Sequence, residues 1–137
     1  MQIESKAVYR SEMAFTMLVD GHEFTVDADE KFGGKDLGPR PKNLLLSALA
    51  GCTGMDVVAI LKKMQMPFDS FEIETLAELT EEHPKVFSKI KLIYRFTGKD
   101  LDKNKIEKAI KLSQEKYCGV TAMLEKAAEI TYDIKLN

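Results

Sequence analysis

The sequence lacks the features that would place it in several large classes of protein. Its two cysteines are too few for a disulfide-stapled secreted scaffold. The net charge of -2 gives no basic excess, so we expect no nucleic-acid partner. No stretch approaches the roughly 18 consecutive apolar residues of a membrane span, and the polar N-terminus has no signal-peptide core. We therefore expect a cytoplasmic protein without a membrane partner.

The sequence also has no cysteines and histidines at the spacing that is typical of metal ligands. Cys52 and Cys118 lie far apart in the sequence, and neither His22 nor His83 stands at a ligand spacing from a cysteine or from the other histidine. In a reducing compartment a cysteine pair is catalytic, metal-binding or inert, and metal binding is the weakest of these interpretations here. We expect no metal and no cofactor.

The pattern that is present predicts one α+β domain over residues 1–137. The order of elements is strands, a helix, a hairpin, helices and a strand, which is not a βαβ repeat. Asp20-Gly21 is a strong signal for a two-residue hairpin turn with one face of the sheet buried. Residues 29–40 have no period and are predicted to be a loop. The predicted strands are 3–10, 14–19, 23–28, 71–79, 86–96 and 129–136, and helical patterns cover 41–64, 102–117 and 120–127.

The rest of the chain is organised around the helix predicted from Pro41 to Met64. Apolar residues cover most of its circumference, which is typical of a buried helix. Gly51 and Gly54 flank Cys52, and each glycine inside a helix costs roughly 1 kcal/mol relative to alanine. We expect that these glycines either split the helix or let another element come close to the thiol.

The second cysteine follows a helical pattern that begins at a capping Asp102 or Asn104 and includes Tyr117 in its apolar stripe. Gly119 interrupts that pattern next to Cys118, and a new helix with Met123 facing inward is predicted beyond it. The amides and dipole of a helix starting there would lower the pKa of the thiol. The alternative is that both cysteines are small core residues, and spacing alone leaves this open.

Three stretches resemble the OsmC/Ohr family of osmotically inducible and organic-hydroperoxide-resistance proteins. PRPKNLLLSALAGCTGMDVVAILKKM resembles the family's cysteine helix, and LSQEKYCGVTAML resembles its second cysteine motif. EEHPKVFSKIKLIYRFTGKDL, between them, is similar to the family's hairpin. The similarity covers roughly residues 38–126 and looks closer to the OsmC-like branch than to either founding type.

The resemblance implies antiparallel sheets packed around a long buried central helix in an intertwined homodimer, with active sites at the subunit interface. It also implies a thiol-dependent peroxidase. Cys52 would be the thiolate that attacks the peroxide, and Cys118 would condense with the resulting sulfenic acid to form a disulfide. The implied partners are a small organic hydroperoxide and an external dithiol reductant. Apolar walls from Leu49, Met55 and Met123 would favour organic substrates.

The resemblance also implies an arginine in the loop before the helix, paired with a glutamate near the helix start. This chain has Lys42 and Asn43 at the helix start and no glutamate there. Arg40 is the candidate for the catalytic cation, with Lys31, Lys35 or Lys42 as other sources of positive charge. The alternatives to a peroxidase are a non-catalytic OsmC-fold protein, which binds a small apolar ligand or senses redox state, and a structural domain with incidental cysteines.

Overall fold

The computed structural model describes all 137 residues, and the chain divides into two compact units, Met1–Leu46 and Ser47–Asn137. The predicted α+β class is confirmed. That the two units form a single domain stays a prediction. The strands are β1 Ser5–Ser11, β2 Ala14–Val19, β3 His22–Val26, β4 Ser70–Leu79, β5 Phe87–Thr97 and β6 Glu129–Leu136, and the helices are α1 Leu44–Lys63, α2 Lys103–Leu112 and α3 Gly119–Leu124.

The first unit is built on an antiparallel sheet in the order β1-β2-β3. The predicted hairpin turn is confirmed, because Asp20 and Gly21 have φ angles of 50° and 75°, as a tight primed turn requires. The prediction of a buried sheet face is wrong for this chain. Large side chains such as Phe15 and Phe24 stay exposed, since this unit contains no complete helix to cover them.

The loop after β3 is ordered by the buried carboxylate of Asp27. Its oxygens accept backbone N–H groups of Ala28 at 2.7 Å and of Lys35 and Leu37 at 3.1 Å each. Burial alone would raise the pKa of Asp27, but these three hydrogen bonds lower it below its ordinary value. A Cβ atom at Gly34 would collide with the carbonyl of Ala28, so only glycine fits there.

The second unit has a three-stranded sheet in the order β4-β5-β6. The predicted hairpin of β4 and β5 is confirmed, and Arg95 donates to Glu74 across it at 2.8 Å. The β5–β6 pair is parallel, contrary to the expected antiparallel sheets. Helices α2 and α3 lie between these strands in the chain, and such a helical crossover returns the chain to the end from which it started.

Helix α1 runs unbroken through Gly51 and Gly54. The predicted long helix is therefore confirmed, and the alternative that the glycines split it is wrong. Its expected burial on all sides is wrong for the single chain. The fully buried residues form one stripe with a spacing of four, Leu49, Thr53, Val57 and Leu61. Met55 is 76% exposed and Leu45 44% exposed. By length and composition alone, Pro41–Lys63 could cross a membrane, at a mean hydropathy of 2.0, although core helices have the same property.

Helix α2 begins with the predicted cap, because Asp102 accepts the backbone N–H of Lys105 at 3.2 Å. Its buried stripe continues to Ser113 and then ends. A π-helical turn, Ser113–Tyr117, follows at once. Because a π turn holds more residues than an α turn, Tyr117 leaves the predicted apolar stripe and is 53% exposed.

Candidate active site

The second unit brings Cys52 and Cys118 together. The half-buried Cys52 lies in the middle of α1, and the buried Cys118 immediately precedes α3. The two sulfur atoms and one carboxylate oxygen of Asp56 all lie within 4.8 Å of one another. Both cysteines are free thiols. A disulfide between them would bring the two sulfurs from this separation to about 2.05 Å.

The π-helical turn determines where Cys118 lies. The backbone N–H of Cys118 donates to the carbonyl of Ser113 at 2.8 Å, which closes this turn. Cys118 itself is extended, with φ −78° and ψ 103°, and caps the next helix by accepting the N–H of Thr121 on its sulfur at 3.4 Å. The predicted start of a helix after Cys118 is confirmed. Met123, however, is 67% exposed and does not face inward as expected.

The environment of Cys52 favours the protonated thiol. Burial raises its pKa above the ordinary value, and the nearby Cys118 and Asp56 raise it further. A hydrogen bond from the backbone N–H of Val120 acts in the opposite direction but does not reverse the shift. Helix α1 continues past Gly54, so it offers the Cys52 sulfur no free terminus of its own that would lower the pKa of the thiol.

A buried polar network continues inward from Asp56. Ser113 Oγ donates to Asp56 Oδ2 at 2.9 Å and lies 2.7 Å from Thr53 Oγ1, which lies 2.8 Å from the phenol oxygen of Tyr94. The amide of Gln114 donates to that phenol at 2.9 Å and to Thr53 at 3.2 Å. No buried side-chain nitrogen or oxygen lacks a partner.

Counting hydrogens fixes the direction of these bonds. A carboxylate only accepts, so the hydroxyl hydrogen of Ser113 points to Asp56. Thr53 must then donate to Ser113, and Tyr94 must donate to Thr53. The three hydroxyls thus form one chain of donors that ends at the Asp56 carboxylate. Burial raises the pKa of Tyr94 to about 12, which keeps its phenol protonated in this chain.

Asp56 is a site residue that the sequence reasoning missed. It follows Cys52 by four residues on α1, which places both side chains on the same side of the helix. The available signal was a single acidic residue inside the apolar stretch that surrounds the cysteine. Nothing in the sequence pointed to Thr53, Ser113 or Tyr94, which look like ordinary members of a helix or strand.

Arg40 belongs to the first unit, where it stabilises the loop that precedes α1. Its guanidinium donates to Asp36 at 2.7 Å and to the carbonyl of Gly38 at 2.8 Å. Its charge also helps to lower the pKa of Asp27, after the effects of burial and of the backbone hydrogen bonds. A catalytic role for Arg40 stays a prediction.

Two grooves run along α1. One, of about 480 Å³, is lined by Asp56, Lys63, Lys108 and Tyr117 with apolar neighbours. The other, of about 640 Å³, is mainly apolar and includes Met55. Leu49, expected to line the substrate site, is fully buried in the core.

The two glycines of α1 differ in what surrounds them, and only Gly54 serves packing within the chain. A Cβ atom at Gly54 would lie 3.2 Å from Ile73 Cδ1 of β4, so this glycine lets the strand approach the helix. A Cβ at Gly51 would meet nothing within 4 Å, and Gly51 lines the larger groove. Neither glycine is needed to bring Cys118 to Cys52 within the chain.

Residues 33–133 match the family described as OsmC-like protein. The protein YhfA of Escherichia coli K12 is 37% identical over 116 residues, which cover 85% of this chain and 84% of YhfA. The chain belongs to the OsmC-like family. The family match includes Cys52, Asp56 and Cys118, so the whole cluster lies inside the OsmC-like region.

Solved structures of other proteins have the same fold. A protein of Aquifex aeolicus VF5 superimposes with a TM-score of 0.84 at 31% identity, covering 100% of this chain and 98% of that one. The organic hydroperoxide resistance protein OhrB of Bacillus subtilis superimposes with a TM-score of 0.68 at 19% identity, covering 98% of each chain, and shows the fold alone.

Proposed function

We propose that this OsmC-like protein is a thiol-dependent peroxidase that reduces organic hydroperoxides, with Cys52 as the attacking cysteine and Cys118 as the resolving cysteine. The observation that carries the proposal is the proximity of the two sulfurs, which come from separate elements and lie within 4.8 Å of each other. Cys52 is partly accessible and Cys118 is buried, which suits an attacking thiol and a protected resolving thiol.

The reaction proceeds in two steps on the protein. Cys52 sulfur attacks the outer oxygen of the hydroperoxide, the O–O bond breaks, and the thiol proton leaves with the alkoxide as an alcohol. This gives a sulfenic acid on Cys52. The thiol of Cys118 then displaces the hydroxyl group as water and forms the Cys52–Cys118 disulfide. An external dithiol reduces that disulfide by thiol–disulfide exchange and restores both thiols.

Asp56 is the proton acceptor in this mechanism. The thiol pKa of Cys52 is raised, so attack requires a base that takes the proton as the S–O bond forms. Asp56 is the carboxylate beside the sulfur, and the donor chain through Ser113 holds its orientation. The same carboxylic acid can then return the proton to the leaving alkoxide, which otherwise leaves poorly.

The smaller groove is the proposed place for the organic part of the substrate. It begins at Asp56 and continues along α1 between apolar side chains, among them Ile60 and Leu112. Burial of an alkyl or aryl group there contributes about 25 cal/mol for each Å² removed from water. Hydrogen peroxide has no such group, so the groove would not strengthen its binding.

We also propose that the protein works as a homodimer. The apolar residues that α1 leaves exposed, among them Leu45 and Met55, and the larger groove that Met55 lines are accounted for if a second copy covers this helix. The cytoplasmic location stays a prediction, as does the assignment of Arg40 to the catalytic machinery.

A second candidate function is redox sensing or binding of a small apolar ligand without turnover. The raised thiol pKa of Cys52 favours slow, stoichiometric oxidation over rapid catalysis, because the thiolate is the nucleophile. The apolar groove of about 640 Å³ is of a size that holds a small ligand.

One assay separates the two functions. Reduced wild type, Cys52→Ser and Cys118→Ser are each mixed with cumene hydroperoxide and a dithiol, and peroxide loss is followed against a thiol-only background. We expect many turnovers for wild type, none for Cys52→Ser, and for Cys118→Ser a sulfenic acid detectable by mass spectrometry. Absence of turnover in wild type would refute the peroxidase. A disulfide formed after one equivalent, seen as loss of two hydrogens, would then support the sensor.

A further inference from the structure

The cluster of Cys52, Asp56 and Cys118 has the composition of a metal site. Three side chains from two elements each offer one ligand atom, two sulfurs and one oxygen, and these atoms all lie within 4.8 Å of one another. We propose that the reduced protein binds one zinc ion through Cys52, Cys118 and Asp56, with solvent in a fourth position. Three protein ligands and one open position are typical of reactive zinc sites rather than closed structural ones.

The geometry needs little adjustment. Zn–S bonds of about 2.3 Å and Zn–O bonds of about 2.0 Å place tetrahedral ligand atoms about 3.5 to 3.8 Å apart. The present separations of at most 4.8 Å therefore shrink by on the order of 1 Å at most. Cys52 and Asp56 are four residues apart on α1, so side-chain rotation alone can bring both towards one ion.

The surrounding hydrogen bonds already have the form of an outer ligand shell. Ser113 donates to Asp56 Oδ2 at 2.9 Å and orients the carboxylate. The backbone N–H of Thr121 donates to Cys118 sulfur at 3.4 Å, and that of Val120 is directed at Cys52 sulfur. These bonds strengthen when the sulfurs become metal-bound thiolates, because the acceptors then carry charge.

A bound cation also offsets the repulsion between the negative charges that the three ligand side chains carry when they are ionised. Two thiols and a carboxylate share this space, and the charge of Asp56 opposes deprotonation of Cys52. Zinc replaces one proton on each thiol and offsets the charge of the two thiolates that form, so binding releases protons and weakens as the pH falls. An ion held by both sulfurs also prevents their oxidation to a disulfide. The proposal does not depend on peroxidase activity.

The test uses the reduced full-length protein with no peroxide. Zinc is titrated in competition with a chromophoric chelator, and cobalt is titrated separately as a spectroscopic probe. We expect one zinc per chain and, with cobalt, an intense thiolate-to-metal charge-transfer band together with the visible bands of tetrahedral coordination. Wild type in which the cysteines have been oxidised to a disulfide should bind neither ion, and reduction should restore binding. This reversal needs no mutation and so does not depend on a variant's folding.

Variants identify the ligands. We expect Cys52→Ser and Cys118→Ser to weaken zinc binding by about 100-fold or more, Asp56→Asn by about 10-fold or more, and Ser113→Ala by about 10-fold through loss of orientation. Asp100→Asn, at an exposed acidic residue outside the cluster, is the matched control and should not change affinity. Circular dichroism of the metal-free variants checks their folding.

Two outcomes would overturn the proposal. One is a cobalt spectrum without a charge-transfer band in reduced wild type. The other is zinc affinity that is the same before and after disulfide formation, which would assign the bound metal to surface carboxylates or histidines. Because no peroxide is present, either outcome leaves the peroxidase assay unaffected.

Discussion

Thr53 and Ser113 are joined through their side-chain oxygens across 2.7 Å, and this contact connects α1 to the turn that carries Cys118. Both side chains are fully buried. The bond is the middle of the donor chain from Tyr94 to Asp56. This bond between two hydroxyls therefore helps to hold Cys118 in place relative to Cys52.

We expect Thr53→Val to lower the free energy of unfolding by about 1 to 3 kcal/mol, because valine has the same shape but can neither accept the buried hydroxyl hydrogen of Tyr94 nor donate to Ser113. Urea unfolding followed by circular dichroism measures the change. Thr131→Val replaces an exposed threonine on β6 and is the matched control, for which we expect a change within about 0.5 kcal/mol. Equal effects of the two substitutions would show that the network does not stabilise the fold.

Asp56 should also control the reactivity of Cys52. Burial raises the thiol pKa, and the charge of Asp56 raises it further, so alkylation of Cys52 in metal-free protein should become fast only at a pH above the ordinary thiol range. Asp56→Asn removes that charge and should move the midpoint to lower pH. Alkylation by iodoacetamide, resolved by peptide mass spectrometry, gives the profile. If the pH midpoint of alkylation rises or stays the same in Asp56→Asn, then Asp56 does not raise the pKa of Cys52.

Tyr94 should make stability fall at alkaline pH. Its pKa is raised from 10.0 to about 12 in the folded protein, so the folded state holds the phenolic proton more tightly than the unfolded state. This stabilisation, on the order of 2 kcal/mol, is complete below pH 10 and is lost as the pH rises to about 12. Urea unfolding across this range should give a steeper decline for wild type than for Tyr94→Phe. Parallel declines would refute the prediction.

Gly51 offers a test of the proposed dimer. Nothing in this chain lies within 4 Å of a Cβ atom added there, so Gly51→Ala should raise the stability of the isolated chain by about 0.5 to 1 kcal/mol through helix propensity. If a second copy packs against this part of α1, the same change weakens association, which sedimentation velocity measures. A wild-type protein that sediments as a monomer at all concentrations would refute the dimer.

Two variants distinguish a catalytic role of Arg40 from its structural role in the loop. A catalytic Arg40 predicts that Arg40→Gln slows peroxide consumption, whereas Asp36→Asn, which removes the same ion pair from the other side, does not. Both variants lose one exposed pair, worth about 0 to 1 kcal/mol. If both slow the reaction equally, Arg40 acts only by stabilising the loop.

Local patterns in the sequence were sufficient for most of the fold. Helix α1, the hairpin of β4 and β5 and the caps at Asp102 and Cys118 follow from interactions between residues close in sequence. The parallel partner of β5 and the proximity of the two sulfurs depend on contacts between distant segments, which periodicity does not contain. The exposed side of α1 was missed for a different reason, since an apolar surface has the same composition whether its own chain or another covers it.

The π-helical turn between Ser113 and Tyr117 gives the site a length requirement. A residue advances about 100° around the axis of an α-helix and somewhat less in a π turn, so removal of one residue from this turn, if it keeps its π form, would turn Cys118 away from α1 by nearly that angle. Deleting exposed Glu115 would remove no contact to either sulfur, yet it would separate them. The number of residues in this segment is therefore as much a part of the site as the identity of its side chains.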